Sequence, residues 1–501
     1  MKLKEYSNKI AKGALIVFIG MIIGKALSYS YVILLSRLGS STYGLLSLGF
    51  AIISFLVIIS LLGLSTSVTR YVAYYIGKRD KKSIKSTIIS SIKIVLPLSV
   101  LISFILFLLS KQISIIIFKN TDLIPILKFF SLSIPLLALT DLFLSFIIGF
   151  QKIGYRTIIK DIIETLVKLF LTFIFISLGY GLFGVIAAYI ISIVITFILS
   201  FYFLKKIFPI LNKNIKSTSL TKELLKFSLP LLFVGFLNLI IKWTDVLMIG
   251  YFIDASQVGI YNVALPTANL LVLTPTALMA IFLPIITNLY GKNKFNQIKK
   301  ISKTISKWIL FINLPIFFLI ALLSKQIITI MFDPGYINAS IPLYILLFGY
   351  LIHSFTHVHS SALTMIKKTN INFYIMLISI FINIILNYIL IPKIGIVGGA
   401  IATSFSLIFV YISSAYTNYK INKIQVINFS YIKILLSAII STIIISKIIK
   451  YFIVNSVLDI ILIGLLFVII YLFLLIIMKS ILKEDREVLS YFYNKLINRN
   501  Q

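Results

Sequence analysis

Two oppositely charged residues, Lys242 and Asp245, interrupt a long apolar run that begins near Leu224. They are three positions apart, and residues at that spacing share one face of a helix. A charge at the centre of a bilayer costs about 2.5 to 3.5 kcal/mol on insertion scales, so both side chains should face protein or water. A lysine sheltered in this way can bind a phosphate group. Asp245 is expected to pair with Lys242, either as a fixed packing element or as a partner that gives way to an anionic ligand.

The first apolar run carries Lys25 beside Gly20 and Gly24. Small residues four positions apart are typical of a close contact between two membrane helices. Lys25 lies near the middle of the run, too far from either end for its ammonium group to reach water easily. We therefore predict that Lys25 faces a cleft and that Arg37, at the end of the run, lies near the outer rim of that cleft.

A third group of charges lies between these two runs. Asp161, Glu164 and Lys168 occur at spacings of three and four, and Glu164 precedes Lys168 in the order that favours an ion pair. They are expected either to neutralise each other near the membrane surface or to line the cleft. Asp141 requires a cationic partner or a proton, and Lys168 and Lys25 are the candidate partners.

Proline and histidine residues are the remaining candidates for a functional role. Pro266, Pro275 and Pro284 fall in one apolar run, where each removes an intrahelical hydrogen bond, and together they suggest a bending gate. His353 and His357 have a spacing that suits a metal, but no cysteine or nearby carboxylate completes a ligand set. No metal site is predicted, and the histidines are assigned to neutral packing or to a proton-responsive gate.

The composition assigns the chain to the polytopic membrane proteins. Of 501 residues, 60% are hydrophobic, and the mean hydropathy is +1.08. Lys and Arg number 47 against 14 Asp and Glu, but these charges are dispersed among short loops, as the positive-inside rule predicts, and do not indicate nucleic-acid binding. The absence of cysteine excludes disulfides, thiolate metal sites and thiol catalysis. The first apolar run is too long for a cleaved signal peptide and is predicted to remain as a membrane helix.

Fourteen apolar segments, here called spans 1 to 14, are long enough to cross a bilayer as helices, so the predicted fold class is all-α. Their approximate ranges are 11–36, 43–64, 88–109, 123–150, 157–178, 182–204, 224–252, 258–289, 305–323, 341–365, 371–391, 397–416, 432–449 and 453–478. The N-terminus, the even-numbered connections and the C-terminal tail hold 35 Lys and Arg residues, whereas the opposite connections hold 7. This asymmetry predicts a protein of the cytoplasmic membrane with both termini in the cytoplasm.

An internal repeat organises the spans. Residues 77–85 resemble residues 291–299 and residues 181–184 resemble residues 395–398, both at an offset of 214, while residues 38–44 resemble residues 253–259 at an offset of 215. We predict two six-helix bundles, residues 1–212 and 213–425, related by a pseudo-twofold axis along the membrane normal, followed by two further helices and a cytoplasmic tail in residues 426–501. A cleft between two such bundles is where a transporter keeps its substrate site.

Three segments carry a resemblance to a known family. They are Ser-Arg-Leu-Gly-Ser-Ser-Thr-Tyr-Gly at 36–44, Thr-Asp-Val-Leu-Met-Ile-Gly at 244–250 and Val-Gly-Ile-Tyr-Asn-Val-Ala at 258–264. With the layout of six, six and two helices, the chain resembles the polysaccharide transporters, or Wzx-type oligosaccharide flippases, of the multidrug/oligosaccharidyl-lipid/polysaccharide exporter superfamily. The resemblance implies an alternating-access carrier that moves a polyprenyl-diphosphate-linked oligosaccharide across the cytoplasmic membrane.

For that cargo, Lys25, Lys242, Lys168 and Arg37 would supply cationic groups, with Asp245 and Asp141 as their partners. The expected partners are the lipid-linked oligosaccharide, membrane lipids and a coupling ion, Na⁺ or H⁺, with no cofactor and a monomeric state. The alternative is a cation-coupled multidrug exporter of the same superfamily, which would rely on the carboxylates. No nucleotide-binding loop or catalytic constellation is visible, so neither an enzyme nor a membrane-embedded glycosyltransferase is expected.

Overall fold

A computed structural model of the chain describes residues 2–209, 218–292, 294–365, 368–422, 430–452 and 454–480. Within these ranges every regular element is a helix, as the apolar periodicity predicts. The predicted boundaries at 212/213 and 425/426 and the predicted tail beyond residue 480 lie outside the described residues, so the division into three segments stays a prediction.

The α-helices are numbered in chain order. The first eleven are α1 (Lys2–Ser36), α2 (Ser40–Leu61), α3 (Leu64–Gly77), α4 (Lys81–Gln112), α5 (Leu123–Ser131), α6 (Ser133–Gly149), α7 (Ile153–Arg156), α8 (Glu164–Ser177), α9 (Gly181–Ile207), α10 (Thr221–Phe252) and α11 (Ala255–Ala268). They are followed by α12 (Leu273–Gly291), α13 (Phe295–Leu322), α14 (Ser324–Ile327), α15 (Ser340–His353), α16 (Thr356–Met365), α17 (Thr369–Ile394), α18 (Ile396–Asn422), α19 (Ser430–Ile449) and α20 (Val457–Ile477).

Short π-helical and 3₁₀ segments join several of these helices. The π-helical segments are Ile113–Ile117, Thr157–Ile163 and Ile328–Phe332, and the 3₁₀ segments are Asn269–Val272 and Pro334–Ala339. Extra or missing residues per turn of this kind change which side chains share a face, and π-helical segments in particular are frequent at functional sites.

Among the described residues, 12 helices are long and apolar enough to cross a membrane, and 13 if the pair α5 and α6, bent by 46°, is one span. The predicted count of fourteen spans is therefore approximate. Span 5 is the difference: it is helical through α7, the π-helical segment and α8, but Lys160, Asp161, Glu164 and Lys168 make it too polar to qualify by composition.

The described residues fold into two compact units. Unit 1 contains those up to Asn262 together with Asn387–Ile396, and in it α9 packs against α6 and α8. Three rings form part of its core: Phe130 is fully buried, and its centroid lies 5.1 Å from that of Phe50 and 5.1 Å from that of Tyr189. Aromatic packing of this kind contributes both apolar burial and ring–ring attraction.

Unit 2 contains Val263–Leu386 and the described residues from Val397 onward. Here α13 packs against α12, α15 and α19, and α19 packs against α20. The buried Lys307 ammonium of α13 donates to the carbonyl oxygen of Ser480 at 2.8 Å, and the Tyr471 hydroxyl of α20 donates to the carbonyl of Phe311 at 2.9 Å. α20 and the residues after it are thus attached to α13 by polar contacts, and α19 packs against both α13 and α20.

Two glycines separated by the repeat offset make reciprocal contacts within unit 1. A Cβ atom on Gly44 of α2 would overlap the carbonyl oxygen of Ala255, and one on Gly259 of α11 would overlap the carbonyl oxygen of Ser40. Beside them the hydroxyls of Ser40 and Ser256 are hydrogen-bonded at 2.7 Å. The first turns of α2 and α11 therefore meet backbone to backbone, which only glycine permits at these positions.

We predict that replacing Gly259 with leucine separates the first turns of α2 and α11. Since the chain has no cysteine, the pair Ser40→Cys and Ser256→Cys reports this separation through oxidative cross-linking. The pair should cross-link readily alone, and Gly259→Leu should lower the yield by about fivefold or more, because inserted side-chain atoms force the backbone apart at a cost of about 1 to 3 kcal/mol. Gly77→Leu is the matched control, since nothing lies within 4 Å of a Cβ atom at Gly77. Equal yields in Gly259→Leu and Gly77→Leu would contradict the contact.

Candidate functional site

The predicted small-residue stripe on α1 packs against the π-helical segment Thr157–Ile163. A Cβ atom on Gly20 would overlap the Thr157 methyl group, and one on Gly24 would lie 2.8 Å from the Asp161 carbonyl oxygen. The expected close helix contact is therefore confirmed, and its partner is span 5. Because the two backbones touch, Lys25, the residue after Gly24, comes within electrostatic range of Asp161.

The π-helical segment rearranges the charges of span 5. The Arg156 guanidinium lies 3.2 Å from the Asp161 carboxylate, a pair separated by five positions. In an α-helix only residues three or four apart are neighbours, whereas the π-helix closes its hydrogen bonds over five residues. A prediction based on α-helical spacing could not find this pair.

Lys160 is the centre of the ion-pair network in unit 1. Its ammonium nitrogen lies 3.0 Å from the Glu164 carboxylate and 3.5 Å from the Asp141 carboxylate of α6. The expectation that Lys168 or Lys25 would be the partner of Asp141 is wrong, as is the expected pairing of Glu164 with Lys168 through contact. Lys160 lies at the start of predicted span 5, beside a basic connection in which positive charge needs no further explanation.

Lys168 and Lys242 each lie over an aromatic ring. The Lys168 ammonium is 4.5 Å from the ring centroid of Tyr31, and the Lys242 ammonium is 4.7 Å from that of Trp243. Among the described residues neither ammonium has a carboxylate within ion-pairing distance. Both distances are within the range of a cation–π contact.

The structure brings together three of the predicted site residues, Lys25, Lys168 and Lys242, here called the lysine cluster. Lys242 lies within range of electrostatic repulsion from both of the others. Lys168 is also attracted by Glu164 and repelled by Lys160. The side chains of Lys25 and Lys242 are exposed, and that of Lys168 is half-buried.

The lysine cluster and the ion-pair network form one connected set of charges within unit 1. The set contains five cationic and three anionic side chains, so its net formal charge is +2. We call it the charge network; its members are Lys25, Asp141, Arg156, Lys160, Asp161, Glu164, Lys168 and Lys242. Such an excess of cations in an apolar setting favours the binding of a compact anion with two negative charges.

Asp245 was expected to pair with Lys242, but the two side chains form no ion pair in the described part of the chain. Its side chain is buried, the Tyr261 hydroxyl donates to one carboxylate oxygen at 2.5 Å, and the Asn387 amide donates to the other at 2.8 Å. Asp245 therefore joins α10 to α11 and α17, whereas Lys242, three positions earlier, turns to Trp243. Hydrogen bonds of this kind stabilise a buried carboxylate.

Arg37 and the three prolines lie apart from the charge network along the chain. Arg37 is exposed in the turn after α1, about 18 Å along the helix axis from Lys25. Span 8 is broken: Pro266 lies in α11, Pro275 and Pro284 lie in α12, and the 3₁₀ segment Asn269–Val272 separates the two helices. The break falls between Pro266 and Pro275, as expected where ring atoms displace the backbone hydrogen bonds of a helix.

The histidines of span 10 lie at a second break. The His353 and His357 ring centroids are 6.1 Å apart, Thr356 lies 3.3 Å from Nδ1 of His353, and the Asn418 amide lies 3.0 Å from Nδ1 of His359. The described residues hold no group of three or more side chains that could bind a metal ion. The hydrogen bonds to neutral partners fit the packing role considered for these residues.

Six residues of the site were missed by sequence analysis. Lys160 and Arg156 resembled loop charges, and the aromatic and amide partners look like ordinary residues of apolar helices. Two of the aromatic partners could have been found from their places in the sequence. Trp243 adjoins Lys242, and Tyr31 lies less than two turns after Lys25 on α1. The other missed partners are Tyr261 and Asn387.

Comparisons with known proteins agree with this architecture. A family model described as polysaccharide biosynthesis protein matches residues 10–290, and the MatE model matches residues 230–389. The uncharacterized membrane protein MJ1068 of Methanocaldococcus jannaschii is 27% identical over 410 residues, which cover 78% of this chain and 80% of that protein. The probable low-salt glycan biosynthesis flippase Agl15 of Haloferax volcanii is 32% identical over 166 residues, which cover 33% of this chain and 35% of that protein.

Among solved structures, the lipid II flippase MurJ superposes with a TM-score of 0.71 at 18% sequence identity, over 96% of this chain and 100% of that one. This likeness shows a shared transporter fold with many membrane-spanning helices. The polysaccharide biosynthesis model covers more than half of the 501 residues. The chain therefore belongs to the polysaccharide biosynthesis protein family, a branch of the multidrug/oligosaccharidyl-lipid/polysaccharide exporter superfamily.

Proposed function

We propose that this protein is a flippase that moves a polyprenyl-diphosphate-linked oligosaccharide from the cytoplasmic to the outer leaflet by alternating access. The observation that carries the proposal is the net charge of +2 on the charge network. A diphosphate that joins a lipid to a sugar carries two negative charges at neutral pH. Cationic groups in an apolar setting bind such a group strongly because little solvent screens them.

The family and its relatives support the class of function. Agl15 is named as a probable glycan biosynthesis flippase, and a putative O-antigen transporter of Shigella flexneri is 23% identical over 74% of this chain and 88% of that protein. None of these names describes a catalyst of a chemical reaction. A transporter of a lipid-linked saccharide is therefore the function best supported for this chain.

A cation-coupled multidrug exporter is the second candidate, favoured by the MatE match at residues 230–389. Such a carrier needs carboxylates that can receive a cationic drug. Asp161 already lies beside Arg156, and Asp141 and Glu164 lie beside Lys160. The cations that remain in the lysine cluster would repel a cationic drug, so the flippase is the better-supported function.

The coupling ion is proposed to act at Asp245. This buried carboxylate has two neutral hydrogen-bond donors, Tyr261 and Asn387, and a proton or Na⁺ taken up there would change the contacts among α10, α11 and α17. We further propose that the broken span 8, with Pro266, Pro275 and Pro284, bends during alternating access, as the 3₁₀ segment Asn269–Val272 supports.

The remaining proposals concern topology and assembly. The excess of basic residues on one side supports a cytoplasmic membrane location with both termini in the cytoplasm. The reciprocal contacts of Gly44 and Gly259 support two bundles related by the 214- to 215-residue offset. A monomeric state is also proposed.

Binding of a short-chain analogue tests the function. The probe is farnesyl-diphosphate-N-acetylglucosamine, and its comparison compound is the neutral farnesyl glycoside of N-acetylglucosamine. We expect Lys25→Gln, Lys168→Gln and Lys242→Gln each to weaken probe binding to the protein in nanodiscs by about tenfold, because a hydrogen bond to a charged group is worth about 1.5 to 3 kcal/mol. Binding of the neutral glycoside should stay unchanged.

Lys128→Gln is the control for this series. Lys128 also lies within an apolar segment and over a ring, 5.5 Å from the Phe107 centroid, but it has no part in the charge network. It should bind the probe as the wild type does. Equal affinity of the wild type for the probe and the neutral glycoside, or equal losses in Lys128→Gln and Lys242→Gln, would contradict the proposal.

A further inference from the structure

Three lysines of the charge network are held in two different ways. Lys160 is held by carboxylates, at 3.0 Å from Glu164 and 3.5 Å from Asp141. Lys168 and Lys242 are held by ring faces, those of Tyr31 at 4.5 Å and Trp243 at 4.7 Å. This division matters because a carboxylate and a ring stabilise an ammonium group with different consequences for its charge.

A carboxylate neutralises the ammonium group and occupies its hydrogen-bond donors. A ring face attracts the same group through its quadrupole, without net charge and without accepting a strong hydrogen bond. The ammonium group over a ring therefore keeps its full charge and donors that can turn to an incoming anion. For a cation within an apolar helix, the ring also supplies the partner that prevents an unpaired charge when no anion is bound.

The Tyr31 ring is buried, whereas the side chain of Lys242 is exposed. Tyr31 is 5% exposed and lies on α1, six positions after Lys25 and six before Arg37. Lys242 is exposed, whereas Nε1 of the adjacent Trp243 is buried and has no hydrogen-bond partner among the described residues. A buried indole N–H without a partner is uncommon and adds a neutral donor beside Lys242.

We infer that Tyr31 and Trp243 are positioning residues for the diphosphate: their ring faces hold Lys168 and Lys242 in place without neutralising them, so that both ammonium groups can pass to the phosphate oxygens of the cargo. The inference rests on the proposed function and deepens it. When the cargo leaves, each ammonium group returns to its ring. The empty carrier can then return to its inward-facing conformation with these two ammonium groups stabilised. Lys160, already neutralised, does not take part in this exchange.

A double-mutant cycle tests the role of Tyr31. The binding constant of farnesyl-diphosphate-N-acetylglucosamine is measured in nanodiscs for Tyr31→Leu, Lys168→Gln and the double variant. We expect Tyr31→Leu to weaken binding by about three- to tenfold, the range that a partly desolvated cation–π contact supports. In the Lys168→Gln background the same change should have no further effect, because Tyr31 acts through the lysine.

Conservative variants separate positioning from a merely structural role. Tyr31→Phe keeps the ring and should bind the probe within about twofold of the wild type, since the ring face attracts the cation. Trp243→Phe and Trp243→Leu form a second series at Lys242, which keeps the test decisive if Tyr31→Leu does not fold. Phe107→Leu, beneath Lys128, is the matched control and should leave probe binding unchanged.

The inference is overturned if Tyr31→Leu binds as the wild type does, if Tyr31→Phe loses as much affinity as Tyr31→Leu, or if Tyr31→Leu weakens binding equally with and without Lys168. Each of these outcomes leaves the proposed function standing, provided that the wild type binds the probe more tightly than the neutral glycoside. If the wild type shows no such preference, the proposed function fails, and the inference fails with it.

Discussion

The cost of placing charge inside an apolar helix bundle is the constraint on which the rest of this structure depends. Each charged group within the bundle must find a partner, because the hydrocarbon region offers no water. The close contact of α1 with the π-helical segment Thr157–Ile163 answers this requirement. Glycines on α1 let the two backbones touch, so that Lys25 lies near Asp161. Arg156 pairs with Asp161, and Lys160 pairs with Glu164.

The pairing of these charges is incomplete and leaves an excess of positive charge. Three carboxylates are matched by Arg156 and Lys160, and the lysine cluster contributes the excess that gives a net charge of +2. Two of the three lysines in the cluster, Lys168 and Lys242, lie over aromatic rings rather than beside acids. This arrangement would suit the proposed dianionic cargo, and the ring faces stabilise two of the ammonium groups when no anion is bound. Asp245 lies one turn from Lys242 on α10, but its polar contacts are with Tyr261 of α11 and Asn387 of α17, so the proposed coupling site has hydrogen-bond partners of its own.

Much of the architecture could be predicted from apolar periodicity, because membrane helices are long and nearly continuous in sequence. The helical fold and the close contact at Gly20 and Gly24 were predicted correctly. The partners of Asp141 and Asp245 were not, and span 5 explains why: rules for side-chain neighbours assume 3.6 residues per turn, and a π-helical segment changes the register. Tyr31 and Trp243 were missed because a ring that holds a cation has the same composition as a ring that fills a core.

The most direct test of the account is an experimental structure with farnesyl-diphosphate-N-acetylglucosamine bound. The account predicts that the diphosphate lies among Lys25, Lys168 and Lys242, with ammonium nitrogens about 2.7 to 2.9 Å from phosphate oxygens, while Lys160 keeps its contacts with Asp141 and Glu164. A diphosphate bound away from all three lysines, with Lys168 and Lys242 still over their rings, would contradict it.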